Sequence, residues 1–576
     1  MPNLMSGARM LLECLVREGG ECIFGYPGGV TLPFYDALYE HPMRHVLVRH
    51  EENACFAAQG YAISTGKVGV CCATSGPGAT NLITGLVNAM MDSTPVVALT
   101  GQVATKLIGS DAFQEADTFG ITRSCTKHNY LVKNLADLPQ VIHEAFYIAG
   151  TGRPGPVLVD VPKDVFQGQA RYTPVSAIHL PGYKVPTEGH TGQVRRAAQM
   201  IWEAQRPIVY AGGGIISSGA SAELRKLVEF VDMPAVCTLM GLGAIPAEHP
   251  NFVSMPGMHG SYAANMGLTE TDLIIALGVR FDDRVTGRLS TFAPHAKVIH
   301  VDIDPSEIGK NRVPDPPIVG DVRRVLEKLN TVLVETAPSM AKSNAAARQA
   351  WWRQVREWQE QHPLVPAVSS SEIKPQHVVA EIDRISGGKA IVTSDVGQHQ
   401  MWSAQFIRFN EPRLWINSGG LGSMGFGLPA AIGAQFGRPD KLVFAVVGDG
   451  GFQMSIPELA TLVNYGLPVK VVIMNNGYLG MVRQWQELFY NNRICAVELE
   501  GFPDVEKLAA AYGFTGRTID KPHELAAALR EAVDEPGPYL LNVKVSPCEN
   551  VYPMVPAGSA INEMVLTPPE PVAVPK

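Results

Sequence analysis

Short, unbroken apolar runs recur along this chain, each followed by a glycine-rich or acidic loop and then by a stretch with helical spacing. An unbroken run suits a strand buried on both faces, as in a parallel sheet, whereas alternation would suit a sheet with one wet face. A first block, from about residue 4 to 170, has such runs at 22–24, 46–48, 68–73, 96–100 and 157–161, with helical stretches at 52–65 and 81–91. A second block, 190–335, has runs at 207–210, 235–238, 273–277 and 297–301. The third, about 373–545, has them at 390–393, 442–447, 469–474 and 539–543. Strand–helix alternation in three blocks predicts the α/β class, with three doubly wound parallel-sheet domains. The expected bounds are 1–171, 190–335 and 373–550, with a tail at 551–576. Residues 172–189, with several prolines and little periodicity, read as a linker. The connector 336–372 contains a helical stretch whose Trp351, Trp352 and Trp358 are expected to pack on a domain. The proline-rich tail is expected to be mobile at its end, with 552–556 able to fold over a site.

Composition narrows the function classes. A chain of 576 residues is too long for one core. A net charge of −8 argues against general nucleic-acid affinity. Nine scattered cysteines without a CxxC pair predict buried, reduced thiols and a cytoplasmic protein. The amino terminus lacks the basic and apolar regions of a signal peptide. The apolar stretch 68–105 is broken by Gly76-Pro77-Gly78 and Pro95, so it reads as core and not as a membrane span.

The strongest chemical signal is Gly448-Asp449-Gly450, followed after 24 residues by Asn475-Asn476. Apolar runs precede both halves, which places a carboxylate and an amide at the carboxyl ends of two neighbouring strands, where open α/β sheets bind ligands. Asp449 and Asn476 offer hard oxygen ligands to a divalent cation, and the glycines allow backbone to approach a diphosphate. The pattern resembles the thiamine-diphosphate signature. That chemistry also needs a carboxyl group beside the aminopyrimidine ring of the cofactor, sharing a proton with its ring nitrogen. Glu51, in Arg49-His50-Glu51 at the start of a helix, resembles that glutamate. Two small-residue loops, 24–29 ending in Gly29 and 75–81, surround it.

FGYPGG, RHE, TSGPGATN, GSDAFQE, GRPGPVLVDVPKDV, VGQHQMW, GGLGSMGFGLPAAIGA, GDGGFQM and NNGYLGMVRQWQ occur in that order. On these motifs the chain is similar to the acetohydroxyacid (acetolactate) synthase catalytic-subunit family from about residue 5 to 560. The resemblance implies pyrimidine-binding, central Rossmann-like and diphosphate-binding domains. It implies thiamine diphosphate held by Gln398, His399, Gly422, Met424, Gly448, Asp449, Gly450, Gly451 and Asn476. It also implies Mg²⁺ on Asp449, Asn476 and the backbone of Tyr478. Gly29, Gln114 and Trp485 then belong to the substrate site, with Trp485 favouring 2-oxobutyrate over pyruvate as acceptor. The products are 2-aceto-2-hydroxybutyrate and 2-acetolactate, precursors of isoleucine and of valine and leucine. Arg153, Gly212, Gly213, Gly214, Met258, His259, Gly278, Arg280, Asp282, Arg284, Asp302, Ile303 and Asp321 resemble the site of a structural FAD. The family implies a homodimer or dimer of dimers, with Glu51 serving the cofactor of another subunit, and a separate small regulatory subunit. No nucleic-acid or membrane partner is expected. One departure stands out: Ala104 replaces the proline usual after GQV.

Overall fold

The computed structural model describes residues 4–340 and 344–568. Six parallel strands form the first sheet: β2 (Cys22–Gly25), β3 (Arg44–Leu47), β4 (Gly69–Ala73), β5 (Val96–Gln102), β6 (His128–Leu131) and β7 (Pro156–Pro162), in the order β3-β2-β4-β5-β7-β6. A small antiparallel pair, β1 (Leu4–Ser6) with β8 (Gln169–Arg171), ties the two ends of this domain together. The middle sheet has β9 (Pro207–Ala211), β10 (Ala235–Cys237), β11 (Phe252–Ser254), β12 (Leu273–Leu277), β13 (Lys297–Asp302) and β14 (Pro317–Val319), in the order β11-β10-β9-β12-β13-β14. The third has β15 (Ile391–Ser394), β16 (Trp415–Asn417), β17 (Val443–Gly448), β18 (Lys470–Asn475), β19 (Thr515–Ile519) and β20 (Tyr539–Lys544), in the order β16-β15-β17-β18-β20-β19. Both of these sheets are also parallel throughout. The expected fold class is therefore observed.

The first and third sheets share one winding, although their sequences are not evidently alike. The middle sheet has instead the order 3-2-1-4-5-6 of dinucleotide-binding folds. Each sheet reverses its winding between β2 and β4, β9 and β12, and β15 and β17, and the first and third turn back again where β7 and β20 insert beside β5 and β18. Ligands bind at such switch points because the loops leaving the two strands diverge and open a crevice.

The strands that escape the sequence pattern lie mostly at sheet edges: β6, β11, β14, β16 and β19. An edge strand is covered on fewer sides, so it can be as short as Trp415–Asn417 or as polar as Thr515–Ile519. The central strands β4, β5 and β7 are buried at every position.

The helix Glu51–Thr65 begins at His50, whose ring nitrogen accepts from Glu52 N at 3.2 Å, and ends at Gly66 in the left-handed region, φ 78°. It packs against the third-domain helix Gly427–Gly437. The approach is so close that a methyl added at Gly433 would lie 1.8 Å from Ala57 O. Glycine here brings two domains of one chain into backbone contact.

The helix Ala345–Gln361 lies on the middle domain as expected. Trp351 and Trp352 donate their indole N–H to Pro207 O and Asp232 O, both at 3.0 Å, and Trp358 packs on the same core. Residues 551–561 form a strap across that domain: Val555 N donates to Met258 O, Arg288 N donates to Ser559 O, and Ile561 is buried in its core. The expected mobile end falls largely on 569–576, outside the described residues. Seven free cysteines are buried, but Cys495 and Cys548 are exposed. Among the described residues no helix is long and apolar enough to cross a membrane.

Candidate active site

The carboxyl ends of β15, β17 and β18 open into a cleft lined by third-domain residues, among them Val396, His399, Met424, Asp449, Asn476 and Tyr478. Asp449 is buried at the mouth of β17. Its carboxylate accepts from Gly450 N at 3.0 Å and from Gly477 N at 2.7 Å. Burial nevertheless raises its pKa to about 6, a cost that a bound cation would offset. Asn476 turns its amide oxygen to Tyr478 N at 3.1 Å and its nitrogen to Gln398 Oε1 at 3.3 Å. Among the described residues no cluster of three or more His, Cys, Asp or Glu groups could hold a metal. One carboxylate, one amide oxygen and the carbonyl of Tyr478 form a donor set that fits Mg²⁺ supplemented by phosphate oxygens, because Mg²⁺ is usually bound by one or two carboxylates together with ligand phosphates.

His399 lies against the backbone of Gly448. A methyl added there would meet its ring at 2.8 Å. Burial lowers the His399 pKa to about 4, so the ring is neutral, and its Nε2 is buried without a partner. A buried ring nitrogen without a protein partner, on a residue of the cleft lining, fits a diphosphate oxygen. Gln398 behaves differently: its amide nitrogen is committed to Gln484 Oε1 and Glu549 O, each at 2.9 Å. Gly422 has the left-handed φ of +75° in the loop that carries Met424 into the cleft.

Asp395 is a functional residue that the sequence reading passed over. Fully buried after β15, it accepts from Val396 N, Gly425 N and Gly427 N at 2.8–3.0 Å. A methyl at Gly451 would lie 2.3 Å from its carboxylate. Its signal, a carboxylate at the end of an apolar run, is the one that marks Asp449.

In the first domain, Glu51 Oε2 accepts from Asn81 Nδ2 at 3.0 Å, its one side-chain hydrogen bond among the described residues. The residues that line the cleft at Asp449 all belong to the third domain, and Glu51 is not among them. A second residue missed from the sequence, the third domain's buried Glu458, sets the Glu51 turn. It accepts from Arg49 N at 2.8 Å and Asn53 Nδ2 at 3.0 Å, two residues to either side of Glu51. Gly29 is exposed with open space around it, and Gln114 sits beside the exposed Phe113 with a left-handed φ of +59°.

At the middle switch point Gly212, Gly214 and Gly278 pack backbone to backbone. A methyl on Gly212 would lie 2.2 Å from Gly278 O. Gly213 lines the same turn against Met240. Asp302, its pKa raised to about 6 by burial, ends β13 beside Ile303, while Asp282 and Asp321 accept from Arg284 N and Arg324 N in the loops after β12 and β14. Met258 N donates to Arg284 O at 2.7 Å, and His259 Nδ1 pairs with Pro553 O of the strap at 3.2 Å. These glycines let the turns after β9 and β12 pack together, and the arginines nearby have protein partners. Arg153 pairs with Glu307 at 2.9 Å, and Arg280 donates to Met91 O at 2.8 Å. The Arg284 guanidinium lies 5.8 Å from the Trp485 ring centre, joining the middle domain to the third.

Three family models match the chain. The thiamine pyrophosphate enzyme N-terminal TPP binding domain covers residues 5–121, the central domain 194–329 and the C-terminal TPP binding domain 395–543. Over 571 residues the chain is 47% identical to the acetolactate synthase isozyme 3 large subunit of Escherichia coli (strain K12), covering 98% of this chain and 99% of that protein. It is 49% identical to the acetolactate synthase of Mycobacterium bovis (97% and 91% covered). It is 46% identical to the acetolactate synthase large subunit of the alga Pyropia yezoensis (97% and 95% covered).

Proposed function

We propose, for a chain that belongs to the acetolactate synthase large subunits of the thiamine pyrophosphate enzymes, a reaction that decarboxylates pyruvate and joins its two-carbon remainder to a second 2-oxo acid. The acceptors are pyruvate, giving 2-acetolactate, and 2-oxobutyrate, giving 2-aceto-2-hydroxybutyrate, which lead to valine, leucine and isoleucine. The observation that carries this reading is the oxygen donor set of Asp449, Asn476 and Tyr478 beside the unpartnered Nε2 of His399. Thiamine diphosphate, when bound, supplies the electron sink for decarboxylation. Asp449 and Asn476 hold the Mg²⁺ and through it the diphosphate. His399 meets the diphosphate, while Met424 and Gly422 shape the pocket around the rings. Glu51 holds a proton between its carboxylate oxygen and the ring nitrogen of the cofactor. The working unit is a homodimer or dimer of dimers in the cytoplasm in which Glu51 serves the cofactor of another subunit, a reading supported by a cleft lined by third-domain residues alone. The large-subunit naming of the relatives supports a small regulatory subunit as partner. The 3-2-1-4-5-6 order of the middle sheet and the glycines at its switch point support a structural FAD there.

Purified protein given thiamine diphosphate, Mg²⁺, FAD and pyruvate, with or without 2-oxobutyrate, is expected to yield the two acetohydroxy acids. Acetate or acetaldehyde as the sole product would overturn the assignment.

Trp485 presents its ring beside Arg284 and edge-on to Phe489 at 6.0 Å. Trp485→Ala is expected to cut the preference for 2-oxobutyrate over pyruvate roughly 10- to 100-fold, the range of one methyl contact worth about 1–3 kcal/mol. Product ratios from mixed acceptors measure it, and an unchanged ratio would remove Trp485 from acceptor choice. Ala104 has φ −55°, which proline accepts. Ala104→Pro is therefore expected to fold normally and to bind sulfonylureas more tightly. Superimposable inhibition curves for the two proteins would refute this.

A further inference from the structure

Residues 418–424 carry Met424 to the cleft, with Gly422 two positions before it, and belong to no helix or strand. Their own domain pins the far end, through Asp395 to Gly425 N and Gly427 N. The near end is held by the first domain of the same chain. Asn88, fully buried, accepts from the hydroxyl of Ser418 and from Ser423 Oγ at 3.2 Å. Asp92 accepts from Gly419 N at 3.1 Å and Gly420 N at 2.6 Å. Asn88 is itself oriented, donating to Gln59 Oε1 at 2.7 Å, and Gln59 donates to Gly85 O at 3.0 Å.

Asp92 stands at an unfavourable place. It follows the helix Ile83–Met91 at its carboxyl end, where the helix dipole disfavours a negative charge. Arg280 of the middle domain braces that end through Met91 O. The space around the loop is as tight as the bonding: a methyl on Gly420 would lie 2.8 Å from Asp92 Oδ1, and one on Gly419 would lie 2.4 Å from Met240 Sδ. Gly419-Gly420 is thus where three domains meet, and its amide hydrogens are satisfied from outside its own domain.

We propose that Asn88 and Asp92 are positioning residues that set the 418–424 loop for the cofactor, an inference that rests on the thiamine diphosphate reading above. The first domain then serves cofactor twice, with Glu51 for a partner's cleft and with Asn88 and Asp92 for its own.

The test uses the full-length protein and three variants, Asn88→Ala, Asp92→Asn and Asn88→Asp. Amide hydrogen exchange without cofactor reads the loop against β5 as an internal control. Calorimetry with thiamine diphosphate and Mg²⁺ reads affinity. Asn88→Ala and Asp92→Asn are expected to speed loop exchange and weaken cofactor binding about tenfold while β5 stays protected. Asn88→Asp keeps the acceptor oxygen but loses the donor to Gln59 and buries a charge, so it is expected to loosen the loop as well. Unchanged loop exchange in Asn88→Ala and Asp92→Asn, or equal loss of protection in β5, would each overturn the inference. A wild-type protein that binds no thiamine diphosphate would overturn the function proposed above, whereas loop exchange in cofactor-free protein judges the positioning role separately.

Discussion

Glu51→Gln is expected to lower kcat about 10²- to 10⁴-fold, the usual worth of a positioned acid–base group, with little effect on folding or on cofactor affinity. Glutamine has nearly the same shape and retains an oxygen to accept from Asn81 Nδ2, the bond that orients Glu51. It cannot share a proton with a ring nitrogen, so the loss falls on the chemical step. Pyruvate consumption gives kcat, and deuterium exchange at the thiazolium C2 of bound cofactor isolates the activation step. A variant that keeps a tenth or more of the activity would remove Glu51 from the mechanism.

Asp449→Ala is expected to abolish activity by a different route, weakening Mg²⁺-dependent cofactor binding by about 100-fold or more. The substitution deletes the one carboxylate of the proposed cation site. It also leaves Gly450 N without its acceptor and Gly477 N with only Asn475 Oδ1, and hydrogen bonds to a charged group are worth about 1.5–3 kcal/mol each. Titration of cofactor in the presence of Mg²⁺ measures the loss, and wild-type affinity would exclude Asp449 as a ligand. The two variants together also test the shared site. Co-expressed Glu51→Gln and Asp449→Ala subunits form hybrid dimers in which one cleft has both native groups. Activity should return in the hybrid although each parent is inactive. A hybrid as inactive as its parents would place Glu51 and Asp449 in the same subunit.

Much of the fold could be read directly because parallel strands in the middle of a sheet are covered on both faces. Gly69–Ala73 and Val443–Gly448 leave no polar position to confuse the pattern. His128–Leu131 and Thr515–Ile519 carry no such signature, since an edge strand is held by its neighbour's backbone more than by its own side chains. The site divides in the same way. Asp449 and Asn476 are marked by the strands that end just before them. Glu458 and Asn88 look ordinary in sequence, because the backbone they organise lies hundreds of residues away.

By itself, then, the sequence determined the three α/β blocks, the placing of Asp449 and Asn476 at strand ends, and the family motifs around Glu51. These are local matters, decided by runs of apolar residues and by the residue types beside them. Only the tertiary structure decided how the sheets wind, with the middle order differing from its neighbours, and that Arg280 and Arg153 brace domain contacts. Only it showed that the first domain's Asn88 and Asp92 hold the third-domain loop 418–424, and that the third domain's Glu458 holds the turn at Glu51. The reason is physical: hydrogen bonds and close backbone approaches form between groups far apart in the chain, and residue type at one position does not reveal its distant partner.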